Sequence, residues 1–222
     1  MGREAFLGHI RTATTVGALP SAPVADPGLL VPDLGEADLP ELFVLNLSAV
    51  DGNVRRTSAD GAVDEVLAAV ADDSGAYLAW DDGEIGVPGL SAALAQRGLD
   101  RLQAVVPTDA KARLAHHDTY LEVGIGITGA DAGLAESGSL VLVSGAHRPR
   151  MASLIPHHHV AVLRASRIVR SLPHLMAARR EMFDRGSNFV VITGPSRTAD
   201  IEMTLTLGVH GPRHLTVVLI ED

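Results

Sequence analysis

The chain has 222 residues and a net charge of −9, from 27 acidic and 18 basic residues. Proteins that bind nucleic acid normally carry a basic patch, so this balance argues against that class of function. The chain has no cysteine, which excludes disulfides, a cysteine nucleophile and cysteine-ligated zinc or iron–sulfur sites within it. Hydrophobic residues make up 46% but aromatic ones only 3%, which indicates a core of Val, Leu, Ile and Ala.

The first forty residues differ in composition from the rest. Residues 3–13 place Phe6, Leu7 and Ile10 on one stripe, which predicts a short helix. The prolines between residues 18 and 40 are typical of an extended arm. We therefore expect an N-terminal helix and Pro-rich arm over residues 1–40, followed by a single α/β domain over residues 41–222. With no recognisable secretory signal and no apolar run of membrane length, we expect a cytoplasmic protein.

After the arm, apolar runs alternate with helical stretches. Helices are predicted near residues 61–71, 90–97, 109–117 and 169–183. Strands are predicted at residues 42–50, 76–80, 102–106, 121–127, 139–144, 159–164, 189–193 and 214–220. This alternation is typical of βαβ units, so we expect a mostly parallel sheet in a three-layer α/β/α Rossmann-like sandwich.

One stretch supports two interpretations. From Ile201 to Val209 the apolar residues fall at every second position, which by itself predicts a strand. The preceding Gly-Pro-Ser turn resembles a helix start, and a parallel crossover from residues 189–193 to 214–220 would need a helix. We favour the helix.

Two dense, Gly-punctuated segments are the best candidates for chemistry. The first, GITGADAGLAESGSLVLVSG, begins at Gly126. Its glycines permit close backbone approach, and Thr128 supplies a hydroxyl. We expect Asp131 to begin a short helix whose free amides could hold an anion. The alternative is that Asp131 only caps a turn and that Glu136 is a solvated helix end.

The second segment, ITGPSRTADIE followed by GVHGPRHLTVVLI, has the same design. The turn at residues 194–198 could hold an anion or a carboxylate through its amides, with Arg197 or Asp200 touching the ligand. The simpler alternative is that Ser196 or Thr198 caps a helix. If both segments serve one purpose, they should line one pocket.

The run His157-His158-His159 is the most visible histidine group. On a strand, His157 and His159 would share a face, which is a spacing that metals can use. No third ligand is evident nearby, because residues 146–163 contain no carboxylate, so we expect no metal site. His210 lies between glycines at a tight connection and could be either a pocket residue or a turn residue.

At these segments, and at SLIPHHHVAVLRASRIV from Ser153, the chain resembles the lactate utilization protein C family, also called the LUD-domain or DUF162 family. The resemblance implies a fold similar to the NagB/RpiA/CoA-transferase group. It also implies a part in oxidising L-lactate to pyruvate beside partner proteins that carry iron–sulfur clusters, with no cofactor in this chain and a small anionic ligand.

The resemblance and the turns together mark a set of site residues without fixing the role of each. We expect the following residues to border the ligand: Thr128, Gly129, Asp131, Glu136, Ser137, His159, Thr193, Gly194, Ser196, Thr198, Asp200 and His210. The candidates for catalysis are Glu136, Asp131 and Asp200. Family motifs also match at Ser153, Glu202 and Gly211.

Two other functions stay open from the sequence. The chain could be a stand-alone enzyme, similar to sugar-phosphate isomerases or CoA transferases, with Glu136 as base or nucleophile. It could also be a scaffold whose Gly-rich turns serve packing alone.

Overall fold

The computed structural model describes residues 2–16, 38–73, 75–104, 108–121, 123–184, 186–199, 205–208 and 210–221. The chain divides into two units, residues 1–33 and residues 34–222. In the first unit, helix α1 spans Arg3–Val16, so the helix predicted over residues 3–13 is present. Among the described residues, no helix combines the length and the apolar character needed to cross a membrane.

Helices and strands alternate along the second unit. Its helices are α2 (Leu39–Ala49), α3 (Ala62–Ala69), α4 (Asp82–Ile85), α5 (Leu90–Gln96), α6 (Ala110–Leu121) and α7 (Leu172–Ala178). Its strands are β1 (Asn53–Ser58), β2 (Ala76–Ala79), β3 (Asp100–Arg101), β4 (Ile125–Gly129), β5 (Ala132–Leu134), β6 (Ser139–Ser144), β7 (His158–Arg164), β8 (Ile168–Val169), β9 (Asn188–Ile192), β10 (Arg197–Ala199), β11 (Leu205–Leu207) and β12 (His214–Glu221). Short 3₁₀ helices cover Arg150–Ser153, Ala165–Arg167 and Arg180–Asp184.

A six-stranded sheet in the order β1-β12-β7-β4-β2-β3 forms the centre of the unit. Every neighbouring pair in it is parallel. Residues 215–220 of β12 are all buried, as expected for a parallel strand covered on both faces. The predicted three-layer α/β/α fold with a mostly parallel sheet is thereby confirmed.

A second sheet has the order β8-β5-β6-β9. Strand β6 runs antiparallel to both β5 and β9, whereas β5 and β8 are parallel. It has a small core of its own, to which Leu134, Val143 and Leu175 belong. Strands β10 and β11 form a separate antiparallel pair.

Two sequence predictions were wrong because a tertiary partner was not visible in the sequence. In place of the helix predicted for residues 199–209, the described part of this range is strand: Ala199 ends β10 and Leu205–Leu207 form β11. Residues 200–204 and 209 lie outside the described residues. No crossover helix is needed there, because β9 belongs to the second sheet. The short helix predicted from Asp131 is strand β5, which pairs with β6.

The strand predicted at residues 42–50 was also wrong, because this stretch is helix α2. The side chain of Asp38 accepts a hydrogen bond from the Glu41 amide and caps the helix, and Pro40 lies in its first turn. Phe43 and Leu47, four residues apart, are its buried side chains. The apolar run therefore reflects a helix with one deeply buried stripe.

Candidate functional site

A cavity of about 220 Å³ opens where β7 and β12 begin; we call it the amino-end cavity. His159 of β7 and Leu215 of β12, which are direct neighbours across the sheet, lie beside it. Its other lining residues are Ser153, Leu154, residues 191–196 and residues 210–212. The lining thus combines hydroxyl and imidazole groups with aliphatic side chains around a space suited to a small molecule.

His159 is the most unusual residue of this cavity. Its side chain is 1% exposed, and its Nε2 lies 2.9 Å from the Thr128 hydroxyl. Burial, with a smaller effect of neighbouring His158, lowers the pKa of His159 to about 3, so the ring is neutral near pH 7. Among the described residues, its Nδ1 has no hydrogen-bond partner. Buried polar atoms rarely lack a partner, so this nitrogen calls for a ligand or a water molecule.

The turn after β9 forms one wall of the amino-end cavity and is held in place from both sides. Gly194 has φ of +81°, and an added Cβ would lie 2.8 Å from the carbonyl oxygen of Val50, so a larger residue would not fit here. The Ser196 amide donates to the carbonyl of Pro212 at 2.8 Å, and the Gly208 amide donates to the carbonyl of Ser196 at 3.0 Å. Contacts within the protein thus hold this wall in place.

The two dense segments meet through a row of hydroxyl groups. The Oγ atoms of Ser137 and Ser139 are 2.7 Å apart, and Ser139 Oγ is 2.6 Å from Thr193 Oγ1. Thr193 in turn lines the amino-end cavity. The first segment thus contacts the cavity wall through Thr193. Ser137 and Ser139 do not line the cavity themselves.

Asp131 has a structural environment. Its Oδ2 accepts from the Val143 amide at 2.8 Å, and its Oδ1 accepts from Arg148 at 2.8 Å. Arg148 also pairs with Glu84 and stacks over Trp80 at 5.2 Å. Both carboxylate oxygens of Asp131 are therefore occupied by protein groups, and the residue does not line the amino-end cavity.

The free amides expected at a helix beginning at Asp131 are not present, because the backbone there is strand. The Ala130 amide donates to Val162 at 2.8 Å and the Asp131 amide donates to Val141 at 2.9 Å. Gly129 serves packing instead, because an added Cβ would lie 2.5 Å from the carbonyl oxygen of Glu84. These amides are used by the two sheets.

Glu136 is exposed on the turn between β5 and β6, and its carboxylate lies 3.8 Å from Arg170. Its carbonyl oxygen accepts from Asn46 of α2 at 3.2 Å. Glu136 does not line the amino-end cavity. Any chemistry at its carboxylate would therefore take place at the protein surface.

The other candidates divide into three groups. His210 is exposed and lies at the cavity together with Gly211. Thr198 is in β10, opposite Thr206, and does not line the cavity. Asp200 and Glu202 lie outside the described residues.

The histidine run does not form the face that the metal hypothesis needs. Strand β7 begins at His158, so exposed His157 precedes it. His158 is bonded through Nδ1 to Asp73 at 3.0 Å and through Nε2 to Thr216 at 2.9 Å. Within the described ranges, no three His, Asp or Glu side chains are grouped to hold a metal ion.

A second cavity, of about 330 Å³, lies where β2 and β3 end; we call it the carboxyl-end cavity. Asp81 pairs there with Arg101 and with His147, each at 2.8 Å. Partial burial opposes ionisation of Asp81, but its bonds to Arg101 and His147 outweigh this and lower its pKa. Sequence reasoning missed these residues, because they are separated by up to 66 positions and no local motif joins them.

Comparison with known proteins gives a consistent family. The LUD domain pattern matches residues 40–220. A protein named Lactate utilization protein C from a Geobacillus species is 36% identical over 67% of this chain, and the match spans 63% of that protein's length. One of the same name from Shouchella clausii is 28% identical over 99% of this chain and 98% of its own length.

The crystal structure of a DUF162 family protein from Deinococcus radiodurans has the same fold. It superimposes with a TM-score of 0.59 over 84% of this chain and 99% of that one, at 21% identity. The family pattern covers most of the chain, and the resemblance seen in the sequence is confirmed. The chain belongs to the LUD domain family.

Proposed function

We propose that this chain takes part in lactate utilization by holding a small carboxylic acid in the amino-end cavity. The names of the relatives support the process. The observation that carries the choice of site is His159, a buried neutral imidazole whose Nδ1 has no partner among the described residues. A ligand in the cavity would complete its hydrogen bonding.

The lining suits an acid of a few carbon atoms. The hydroxyl of Ser196 and the imidazole of His210 can each donate a hydrogen bond to a carboxylate, and Thr193 can do so when its hydroxyl accepts from Ser139. The Ser153 hydroxyl donates to the carbonyl of Arg150 at 3.2 Å. Leu154, Val191 and Leu215 offer apolar contact to a short alkyl group. In the described lining there is no Lys or Arg, so a carboxylate would be held by dipoles rather than by a full opposite charge.

We further propose that the electrons of lactate oxidation pass to other proteins. The chain has no cysteine and so has no ligands for an ordinary iron–sulfur cluster. Converting L-lactate to pyruvate removes two electrons, which partner proteins with iron–sulfur clusters would accept. In this division of work the chain would be a subunit or accessory protein, which we propose to be cytoplasmic.

Growth on lactate tests the proposal. A lactate-utilizing strain that lacks its own copy of the gene is complemented with the Thr193→Val/Ser196→Ala double variant. The matched control is Thr119→Val/Ser48→Ala, which removes the same two groups from exposed positions on α6 and α2. We expect the control to grow at the wild-type rate and the cavity variant to lose growth on lactate but keep growth on glucose.

The proposal fails if the cavity variant, present at the wild-type level and with an unchanged melting temperature, grows on lactate as fast as the control.

A further inference from the structure

Thr128 and His159 form a pair with an adaptable hydrogen-bond pattern. Gly126 of β4 lies directly opposite His159 of β7, and Thr128 is two residues further along the same face. This register places the Thr128 hydroxyl 2.9 Å from His159 Nε2. Both side chains are buried, at 0% and 1% exposure, so bulk water does not compete for this bond.

A neutral imidazole has one N–H and one bare nitrogen, whereas a hydroxyl can either donate or accept. If Nε2 carries the proton, it donates to Thr128, and Nδ1 is left as an acceptor. If the Thr128 hydroxyl donates to Nε2, the proton is on Nδ1, which is then a donor. The two patterns have the same heavy-atom geometry, so the pair can change between them without moving.

A 2-hydroxy acid and its 2-oxo acid differ in the hydrogen-bonding role of the oxygen on the 2-carbon. The alcohol of the hydroxy acid can donate a hydrogen bond to a bare Nδ1, and the carbonyl of the oxo acid can accept one from Nδ1–H. An arginine or a lysine at this position could only donate a hydrogen bond and would therefore not accept one from the alcohol of the hydroxy acid. The Thr128–His159 pair suits both.

We propose that the amino-end cavity binds short 2-hydroxy acids and the corresponding 2-oxo acids with similar affinity, and that His159 Nδ1 contacts the 2-oxygen in both, with Thr128 pairing with Nε2 in either tautomer. The inference rests on the proposed function of this cavity. It implies that the chain can hold the acid before and after oxidation, because the change at the 2-carbon is matched by the tautomer of His159.

Calorimetric titration of the full chain with L-lactate, pyruvate and propionate tests this. Propionate has the same carbon chain but no 2-oxygen. We expect L-lactate and pyruvate to bind within about threefold of each other, and propionate to bind at least about tenfold more weakly, the effect of leaving one buried nitrogen unpaired. The Thr128→Val variant should lose the similar affinity for L-lactate and pyruvate, because Nε2 without its partner favours one tautomer of His159 in every complex. The two affinities should then differ by at least about fivefold, and propionate should bind nearly as it does to the wild type. A damaged fold would weaken the binding of all three acids.

Nitrogen-15 NMR of His159 gives an independent readout, with the signal assigned by its loss in His159→Gln. Nδ1 should have the shift of a bare nitrogen with L-lactate and of a protonated nitrogen with pyruvate. The inference is overturned by one tautomer in both complexes, by a tenfold preference between the two acids, or by propionate binding as tightly as lactate. In each of those cases the cavity remains a ligand site. If none of the three acids binds, the proposed function fails as well.

Discussion

His159 is the residue on which the proposed chemistry depends, and its burial has a measurable consequence. In the folded chain its pKa is about 3, whereas a histidine in an unfolded chain titrates near 6.5. Below about pH 6.5 the unfolded state therefore binds a proton that the folded state does not. The contribution of neutral His159 to the free energy of unfolding is therefore present above that pH. It is lost as the pH falls towards 3, by about 1.4 kcal/mol per pH unit.

Replacing His159 with Gln removes this contribution. The free energy of unfolding of the wild type, minus that of His159→Gln, should fall by about 2 kcal/mol between about pH 7 and about pH 5 in urea titrations. The exposed His157→Gln serves as the control and should change stability by less than about 0.5 kcal/mol at either pH. A wild-type-minus-variant difference that is equal at the two pH values would show that His159 is not buried as a neutral ring.

Two glycines at the start of β4, Gly124 and Gly126, offer a matched test of packing. An added Cβ at Gly126 would lie 1.8 Å from the carbonyl oxygen of Ala152, whereas one at Gly124 would meet no described atom within 4 Å. Because backbone cannot yield as a side chain does, Gly126→Ala should destabilise the protein by about 3 kcal/mol, and Gly124→Ala should change stability by less than about 0.5 kcal/mol. Thermal melting of both variants measures this, and equal melting temperatures would contradict the close approach.

At the scale of elements, Asp131 joins β6 to Arg148, which pairs with Glu84 of α4. Asp131→Ala would leave the Val143 amide and part of Arg148 without a partner, so it should cost about 3 kcal/mol of stability. Asp131→Asn keeps an acceptor oxygen and should cost about 1 kcal/mol. If Asp131 is structural, Asp131→Asn should still support growth on lactate. Loss of growth by a stably folded Asn variant would restore Asp131 as a catalytic candidate.

Sequence reasoning succeeded for elements whose signals are local. The strand predicted at residues 139–144 is β6, and the one at residues 214–220 is within β12. Both are continuous apolar runs that need no partner to be recognised. Strand β1 was missed, because Asn53–Ser58 is polar and half exposed at the sheet edge. Strand β5 was missed because its three residues depend on pairing with β6.

At the scale of the whole molecule, the candidate site is not where the fold alone would place it. Open α/β sheets usually bind ligands at the carboxyl ends of their strands, which is the position of the carboxyl-end cavity. The amino-end cavity exists because the turn at residues 193–196 follows β9 of the second sheet and is bonded to Gly208 and Pro212. Sequence patterns identified this turn, His159 and His210, but not the sheet arrangement that brings them together. Asp131 and Gly129 were selected from the same motifs, but Asp131 bonds to Val143 and Arg148, and Gly129 permits close packing against Glu84.

The chain as a whole should act with partners. Affinity capture of the tagged protein from lactate-grown cells, with mass spectrometry, should recover cysteine-rich iron–sulfur proteins. Cells grown on glucose are the control and should yield far less of them. Recovery of the chain alone under both growth conditions would favour a stand-alone enzyme. In that case hydroxylamine trapping of a covalent adduct at Glu136 would be the decisive assay.

A crystal structure of the protein soaked with L-lactate tests the central claim most directly. The proposed site predicts lactate in the amino-end cavity, with its 2-oxygen within hydrogen-bond distance of His159 Nδ1 and its carboxylate near Thr193 and Ser196. Lactate bound instead in the carboxyl-end cavity, beside Arg101 and His147, would contradict it.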